Sequence, residues 1–251
     1  MKPTSFSIKL GNYLFKNFFF AYNIIYPQFK KQSDADEINL CKQLVKEGDV
    51  VLDIGANIGF YSKILSQLAG KTGKVYSFES DETNFNHFRR NLSGKEYTNV
   101  FPVKKAVADE TKKITLYISD TINVDHRTYK HSDSSREMLI DGISIDDFVG
   151  EKFKVDFIKM DIQGYETVAM RGMKKTLQNP AIKVVTEFWP FGLAEANSSC
   201  EEFYNEVGKL GLNVFSIQGN EKKKMELEEV RNYDRQFSKD PSSYFNILLT
   251  H

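Results

Sequence analysis

The stretch Val50-Val-Leu-Asp-Ile-Gly-Ala-Asn-Ile-Gly-Phe60 decides how this chain is read. Val50 to Ile54 is apolar except for Asp53, the pattern of a strand buried on both faces. Gly55 and Gly59 then predict a tight turn that admits close approach of a ligand, with a helix behind it. The first turn of that helix offers free N–H groups to an anionic group. No Gly-Lys-Ser/Thr follows, which excludes a P-loop. The glycines are spaced G-x-x-x-G, not G-x-G-x-x-G, and an Asp at the strand end would repel the pyrophosphate of NAD. The same Asp53 can take the ammonium of an amino-acid-like ligand.

The next strand candidate ends at Ser77-Phe78-Glu79, with Glu79 lying 20 residues beyond Gly59. An acid at that tip can accept both ribose hydroxyls of a nucleoside. Asp53, Gly55, Gly59 and Glu79 together describe a site for a nucleoside that carries an amino acid, and S-adenosylmethionine is the common cofactor of that shape.

Outward from this unit the chain keeps the same rhythm. Strands are expected at Val50–Ile54, Lys74–Phe78, Val100–Ala106, Val155–Met160, Ile182–Phe188, Leu212–Ile217 and Phe245–Thr250, with helices at 57–69, 82–93, 165–178 and 199–210. Alternation of this kind implies an α/β fold with a mostly parallel sheet and helices on both faces. The last strand follows its predecessor through a charged connection, so it is expected to run antiparallel. Residues 111–148 read as a hairpin around KITLYI and then a polar loop, and residues 219–243 as a charged loop.

The 251 residues suit one domain, with residues 1–47 as a helical extension and 48–251 as the main domain. Lys plus Arg and Asp plus Glu both total 34, which removes the simplest argument for a nucleic-acid partner. Two cysteines, Cys41 and Cys200, are too few for a disulfide framework or a Cys-based zinc site, and a reducing cytoplasm is the plainer setting. Phe15, Phe18, Phe19, Tyr22, Ile25 and Tyr26 fall at helical spacing and form one face. The apolar core from Phe18 to Tyr26 is far shorter than a membrane span, and no small-residue cleavage site follows it. That helix is expected to pack on the main domain, with a lid or a peripheral membrane contact as sharper alternatives. A second helix is expected at 34–47. A homodimer is compatible with the sequence.

Three stretches resemble the FkbM-type family of class I S-adenosylmethionine-dependent methyltransferases: GDVVLDIGANIGFYSKILSQLAG (48–70), ISIDDFVGEKFKVDFIKMDIQGYETVAMRGM (143–173) and TEFWP (186–190). The resemblance covers roughly residues 40–190. It implies a Rossmann-like sheet of seven strands with the last pair antiparallel, S-adenosylmethionine as cofactor, and a hydroxyl of a small molecule, sugar or glycan as methyl acceptor. On that basis Asp53, Gly55, Ala56, Asn57, Gly59, Phe60, Glu79, Ser80, Asn84 and Val107 are assigned to the cofactor.

Methyl transfer is an in-line displacement, and an alcohol acceptor needs a group to handle its proton. Asp161 closes the strand IKMD at the ligand-facing edge of the sheet, where it could take that proton, orient the hydroxyl, ligate a divalent ion or merely cap a helix. Lys159, two residues back on the same strand face, could pair with it. Glu166 is a first-turn acid that either complements the helix dipole or faces the acceptor. His126, in the loop element Asp125-His126-Arg127, titrates in the range of a general base. Asp125 and Arg127 are placed at the acceptor, as an Asp-His-Arg element recurs there in chains of this kind. Glu187 ends the strand VVTEF and, with Trp189, suits a wall of the acceptor pocket. A divalent cation has room at Asp161 but is not expected. The alternatives are an N-methyltransferase, disfavoured because Asp161-Ile-Gln-Gly stands where an Asn/Asp-Pro-Pro-Tyr/Phe motif would, and a non-catalytic cofactor-binding subunit.

Overall fold

The computed structural model describes residues 5–94, 96–119, 127–129, 134–218 and 221–251. In chain order the elements are α1 (Ser5–Asn17), α2 (Phe19–Ser33), α3 (Ala35–Leu44), β1 (Val50–Ile54), α4 (Phe60–Ala69), β2 (Lys74–Phe78), α5 (Glu82–Asn91), β3 (Val100–Val103), β4 (Ala106–Val107), β5 (Lys113–Ser119), β6 (Ser134–Ile143), α6 (Ile145–Val149), β7 (Phe157–Met160), α7 (Glu166–Arg171), β8 (Lys183–Phe188), α8 (Pro190–Glu195), α9 (Cys200–Lys209), β9 (Asn213–Gln218), β10 (Glu221–Lys224), α10 (Leu227–Phe237) and β11 (Phe245–Thr250).

The main sheet runs β10-β9-β11-β8-β7-β1-β2-β3. Strands β3, β2, β1, β7 and β8 are parallel, and β11 enters antiparallel between β8 and β9. The expected antiparallel last strand is present, but the expected seven strands are eight. The eighth, β10, lies in the segment read as a loop, and so does α10. Neither gives an apolar pattern. All four β10 residues are exposed, and the strand is held by backbone pairing to β9. Val230 is the buried residue of α10, whose charged side chains pair on its surface, as in Arg231 with Glu201. In the same way β6 occupies much of the polar stretch after KITLYI, pairing with β5 and β4 in a three-stranded sheet.

Each central strand feeds two cores by strict alternation. Leu52, Ile54, Ile158, Met160, Val184, Ile247 and Leu249 pack against α7, α8, α9 and α10. Val51, Phe157, Val185 and Leu248 pack against α3, α4 and α5. Odd-numbered positions of β1 and β7 therefore face the α3–α4 side, and this places Asp53 and Lys159 there. Register sets the two directly opposite each other across neighbouring strands.

The N-terminal helices fold onto this second face. The single helix expected over the first thirty residues breaks at Phe18, whose backbone leaves the helical region, giving α1 and α2. Ile38, Leu40, Cys41 and Leu44 of α3 share the core of Val51 and Leu65, while Phe15 and Tyr22 close over Ile58 behind the glycine turn. Cys41 and Cys200 are free and buried.

Candidate active site

Strand β1 ends in a turn that the sheet itself holds. The N–H groups of Gly55 and Ala56 both donate to the Phe78 carbonyl, at 3.0 and 2.9 Å, and the Asp161 N–H donates to the Ile54 carbonyl at 2.9 Å. Gly55 has φ +86°, and a Cβ there would lie 1.9 Å from the Asp161 carbonyl oxygen. No side chain fits between the ends of β1 and β7. Asn57 and Gln163 also hold left-handed backbones, φ 50° and 57°, on either side of this contact. Strained residues of this kind persist where the surrounding structure over-determines them, and they cluster at ligand sites.

The turn opens on a cleft of about 770 Å³, in the range of small-molecule sites. Its lining joins distant regions of the chain: the turn with Glu79 and Ser80, the ends of β7 and β8 with Asp161 and Glu187, Tyr26, Lys30 and Glu37 of the N-terminal helices, Val107 and Arg127 beside the smaller sheet, and Tyr244 and Asn246 near the C-terminus. Of the residues read as cofactor ligands, Gly55, Ala56, Asn57, Phe60, Glu79, Ser80, Asn84 and Val107 line it. Glu79 accepts the N–H of Asn57 and of Asp81, both at 2.8 Å, one on each oxygen. Burial pushes its carboxyl up to about 7 against the pull of these amides.

Gly59 and Asp53 lie behind the surface rather than on it. A Cβ on Gly59 would strike the Phe88 ring at 2.3 Å. Asp53 is fully buried, accepts the Ser62 hydroxyl at 2.6 Å, and keeps Oδ1 without a hydrogen-bond partner. Burial pushes it up to about 6 in spite of Lys159.

Lys159 organises the floor. Its ammonium lies 3.3 Å from Asp161, 4.0 Å from Glu37 and 4.4 Å above the Tyr61 ring. Burial alone would lower its pKa, but Asp161, Glu37 and Asp53 raise it, so it stays charged. Asp161 accepts the Gln163 amide at 2.8 Å as well. Burial works to push the Asp161 carboxyl up, and the Lys159 and Lys30 cations outweigh it, holding it below the usual range. Glu187 has the opposite fate: burial, then the charges of Asp161 and Glu166, push it well above the ordinary value. The N-terminal helices complete this network. The Tyr61 hydroxyl donates to Glu37 at 2.7 Å and sits 3.0 Å from Asp34, and the Asn246 amide donates to Glu37 at 3.2 Å.

Glu166 does not line the cleft. It is buried, accepts the Ile162 N–H at 3.2 Å, and is pushed up to about 7 by burial. Asp161 is not a helix cap, since α7 begins after Tyr165. Arg127 and Trp189 do line the cleft and meet there, with the guanidinium 5.2 Å from the indole and 5.6 Å from the Tyr129 ring. Trp189 donates its indole N–H to the Pro241 carbonyl at 3.2 Å. Asp125 and His126 lie outside the described residues. Among the described residues, no group of three or more His, Cys, Asp or Glu is placed to hold a metal ion.

Tyr26, Lys30, Glu37 and Tyr61 are site residues that the sequence reading missed as such. Tyr26 stood only as one member of a helical face, and nothing local marks Glu37 as the partner of a lysine more than a hundred residues away.

A family profile described as Methyltransferase FkbM domain matches residues 53–235. The hexuronic acid methyltransferase AglP of Haloferax volcanii is 29% identical over 156 residues, 61% of this chain and 62% of that protein. This chain thus spans less than two thirds of that relative's length. Among solved structures, methyltransferase FkbM from Methylobacillus flagellatus KT aligns at a TM-score of 0.44 and 17% identity, covering 81% of this chain and 44% of that one. A "putative rRNA-methylase" from Clostridium thermocellum aligns at 0.50 and 12% identity, covering 86% and 93%, a likeness of fold. With the strand order β3-β2-β1-β7-β8-β11-β9 and the family profile spanning both the glycine turn and Asp161, the chain has the class I methyltransferase fold and belongs to the FkbM methyltransferase domain family.

Proposed function

We propose that the chain moves a methyl group from S-adenosylmethionine to a hydroxyl oxygen of a small molecule, sugar or glycan. The observation that carries this reading is the joining, in one cleft, of Glu79 at the tip of β2 with Asp161 and Glu187 at the tips of β7 and β8. When bound, S-adenosylmethionine supplies an electrophilic methyl carbon on a sulfonium. The protein fits that donor: the backbone of the glycine turn, Gly55 to Asn57, lines the cleft beside Glu79, whose carboxylate suits ribose hydroxyls. Ala56, Asn57, Ser80, Asn84 and Val107 wall that end. Asp53 supports the turn from beneath, its unpartnered oxygen directed within the protein.

Asp161 and Glu187 divide the acid–base work. Two carboxyls whose surroundings drive their pKa values apart mark an acid–base pair. Asp161, kept ionised by Lys159, strengthens Glu187 as a base through its negative charge. Glu187, in its ionised form, accepts the hydrogen bond of the acceptor hydroxyl and takes that proton as the oxygen attacks the methyl carbon. Arg127 over Trp189 offers a flat cationic wall, suited to a sugar that carries a carboxylate. The similarity to a protein named for methylating hexuronic acid supports a sugar acceptor of that kind. The free buried thiols support a cytoplasmic setting.

The test is calorimetry with S-adenosylhomocysteine, followed by transfer of labelled methyl to uronate-bearing oligosaccharides. Wild type binds and turns over, and Glu79→Ala abolishes binding. Glu187→Gln and Asp161→Asn each cut turnover by about a hundredfold or more while affinity stays within about tenfold. No binding of S-adenosylhomocysteine, or full turnover in both carboxylate variants, would overturn the reading.

A further inference from the structure

We infer that α1 and α2 form a docking surface for an anionic lipid bilayer, holding the mouth of the cleft at the headgroup plane. Six of the eleven large hydrophobic side chains exposed among the described residues belong to these two helices, and a seventh, Phe18, joins them. Phe20, at 82% exposure the most open of them, shares with Ile24 the face of α2 turned away from buried Tyr22, and Ile25 is exposed beside it. Phe18 and Tyr13 extend this surface toward α1. A surface of clustered apolar side chains, not scattered ones, marks a place of contact.

Charge selects the occupant. The first 33 residues contain five lysines and no acidic residue, leaving 29 basic against 34 acidic side chains in the rest of a neutral chain. Lys16 and Lys31 are exposed beside the apolar face. Aromatic and aliphatic side chains flanked by lysines are the composition of a helix that lies in the interface of a bilayer. Anionic headgroups attract such lysines, whereas a second copy of this chain would set lysines against lysines. No helix among the described residues is long and apolar enough to cross a membrane, so the contact lies on the surface and does not span.

The same helix, α2, reaches the site further along. Phe29 is part of the exposed apolar set and also lines the cleft, next to Tyr26 and Lys30 of the same helix. A bilayer seated on α2 would thus border the cleft entrance. This surface goes beyond the methyl-transfer reading, and its test uses neither donor nor acceptor, so the two stand or fall separately.

The experiment is co-sedimentation of the full chain with vesicles of phosphatidylcholine alone and of phosphatidylcholine mixed with phosphatidylglycerol. Wild type pellets with the anionic vesicles, and added salt releases it. Phe20→Ser with Ile24→Ser, and separately Lys16→Ser with Lys31→Ser, each lower the bound-to-free ratio by about tenfold or more, with melting temperature unchanged because these side chains are exposed. Protein that stays in the supernatant with both vesicle types overturns the inference. Equal binding to both vesicle types overturns the choice of an anionic surface. A dimer in sedimentation equilibrium that Phe20→Ser with Ile24→Ser dissolves, without vesicle binding by wild type, overturns it in favour of a contact between copies.

Discussion

Replacing Gly55 by alanine tests the central contact of the site, and Gly150→Ala supplies its control. Both glycines have positive φ, +86° and +51°, so alanine brings backbone strain, roughly 1–2 kcal/mol at Gly55 and roughly 1–3 kcal/mol at Gly150, whose ψ of −132° lies outside the left-handed well. Around Gly150 a Cβ meets nothing within 4 Å, so strain is the whole cost there. At Gly55 the Cβ would stand 1.9 Å from the Asp161 carbonyl oxygen, and real Cβ contacts do not fall under 3.0 Å. The tips of β1 and β7 must separate by more than about 1 Å, enough to break the 2.9 Å hydrogen bond from Asp161 to Ile54. Overpacking of this kind adds about 1–3 kcal/mol, for a total of about 2–5 kcal/mol. In a chain of this size each kcal/mol lowers the melting temperature by roughly 2–4 °C. Gly55→Ala should therefore melt below Gly150→Ala in a thermal shift assay. Because the same displacement carries Asp161 and Gln163 with it, S-adenosylhomocysteine affinity should fall by more than about tenfold in Gly55→Ala alone. Two variants that melt together and bind alike would refute the close approach of β1 and β7 on which the site is built.

Stability should fall as pH rises from 5 to 8. Asp53 near 6 and Glu79 and Glu166 near 7 hold their protons more tightly folded than unfolded, so their contribution is complete at low pH and is lost through those values. Urea midpoints across that window should show the drop, and Glu166→Gln should remove up to roughly 3 kcal/mol of it; a rise in stability over the same range would contradict the burial of these groups. Lys159→Met strips Asp161, Glu37 and Asp53 of their shared cation, and should cost about 3–5 kcal/mol at pH 8 but less at pH 5, where the carboxyls regain protons. Equal losses at both values would remove Lys159 from its central place. Trp189 is the sole tryptophan and borders the cleft, so an acceptor should shift its fluorescence; turnover with no change in emission would take it out of the acceptor wall.

The parts of the fold legible in the sequence are those where one strand or turn carries its own signal. Val50–Ile54, Lys74–Phe78 and Phe245–Thr250 begin and end in the structure where their apolar runs do. Glu79 and Asp161 were legible because the strand ends of a parallel sheet converge on one edge. Strand β10 was not, because EKKK has no buried face and depends on its neighbour's backbone. Helix α10 hides its one buried residue among charges. Glu166 stays open between two roles in the sequence because its spacing suits either; in the structure its carboxylate accepts the Ile162 N–H. Glu37 and Tyr26 reach the cleft by tertiary packing from a segment whose local pattern speaks only of helix.

The cleft is walled by residues as far apart in the chain as Tyr26 and Asn246. A ligand held there is gripped by both extremities at once, and its binding free energy is shared by the whole chain rather than by one lobe. Occupancy should therefore slow proteolytic nicking of α2 and of the segment before β11 together, because releasing either end means releasing the ligand.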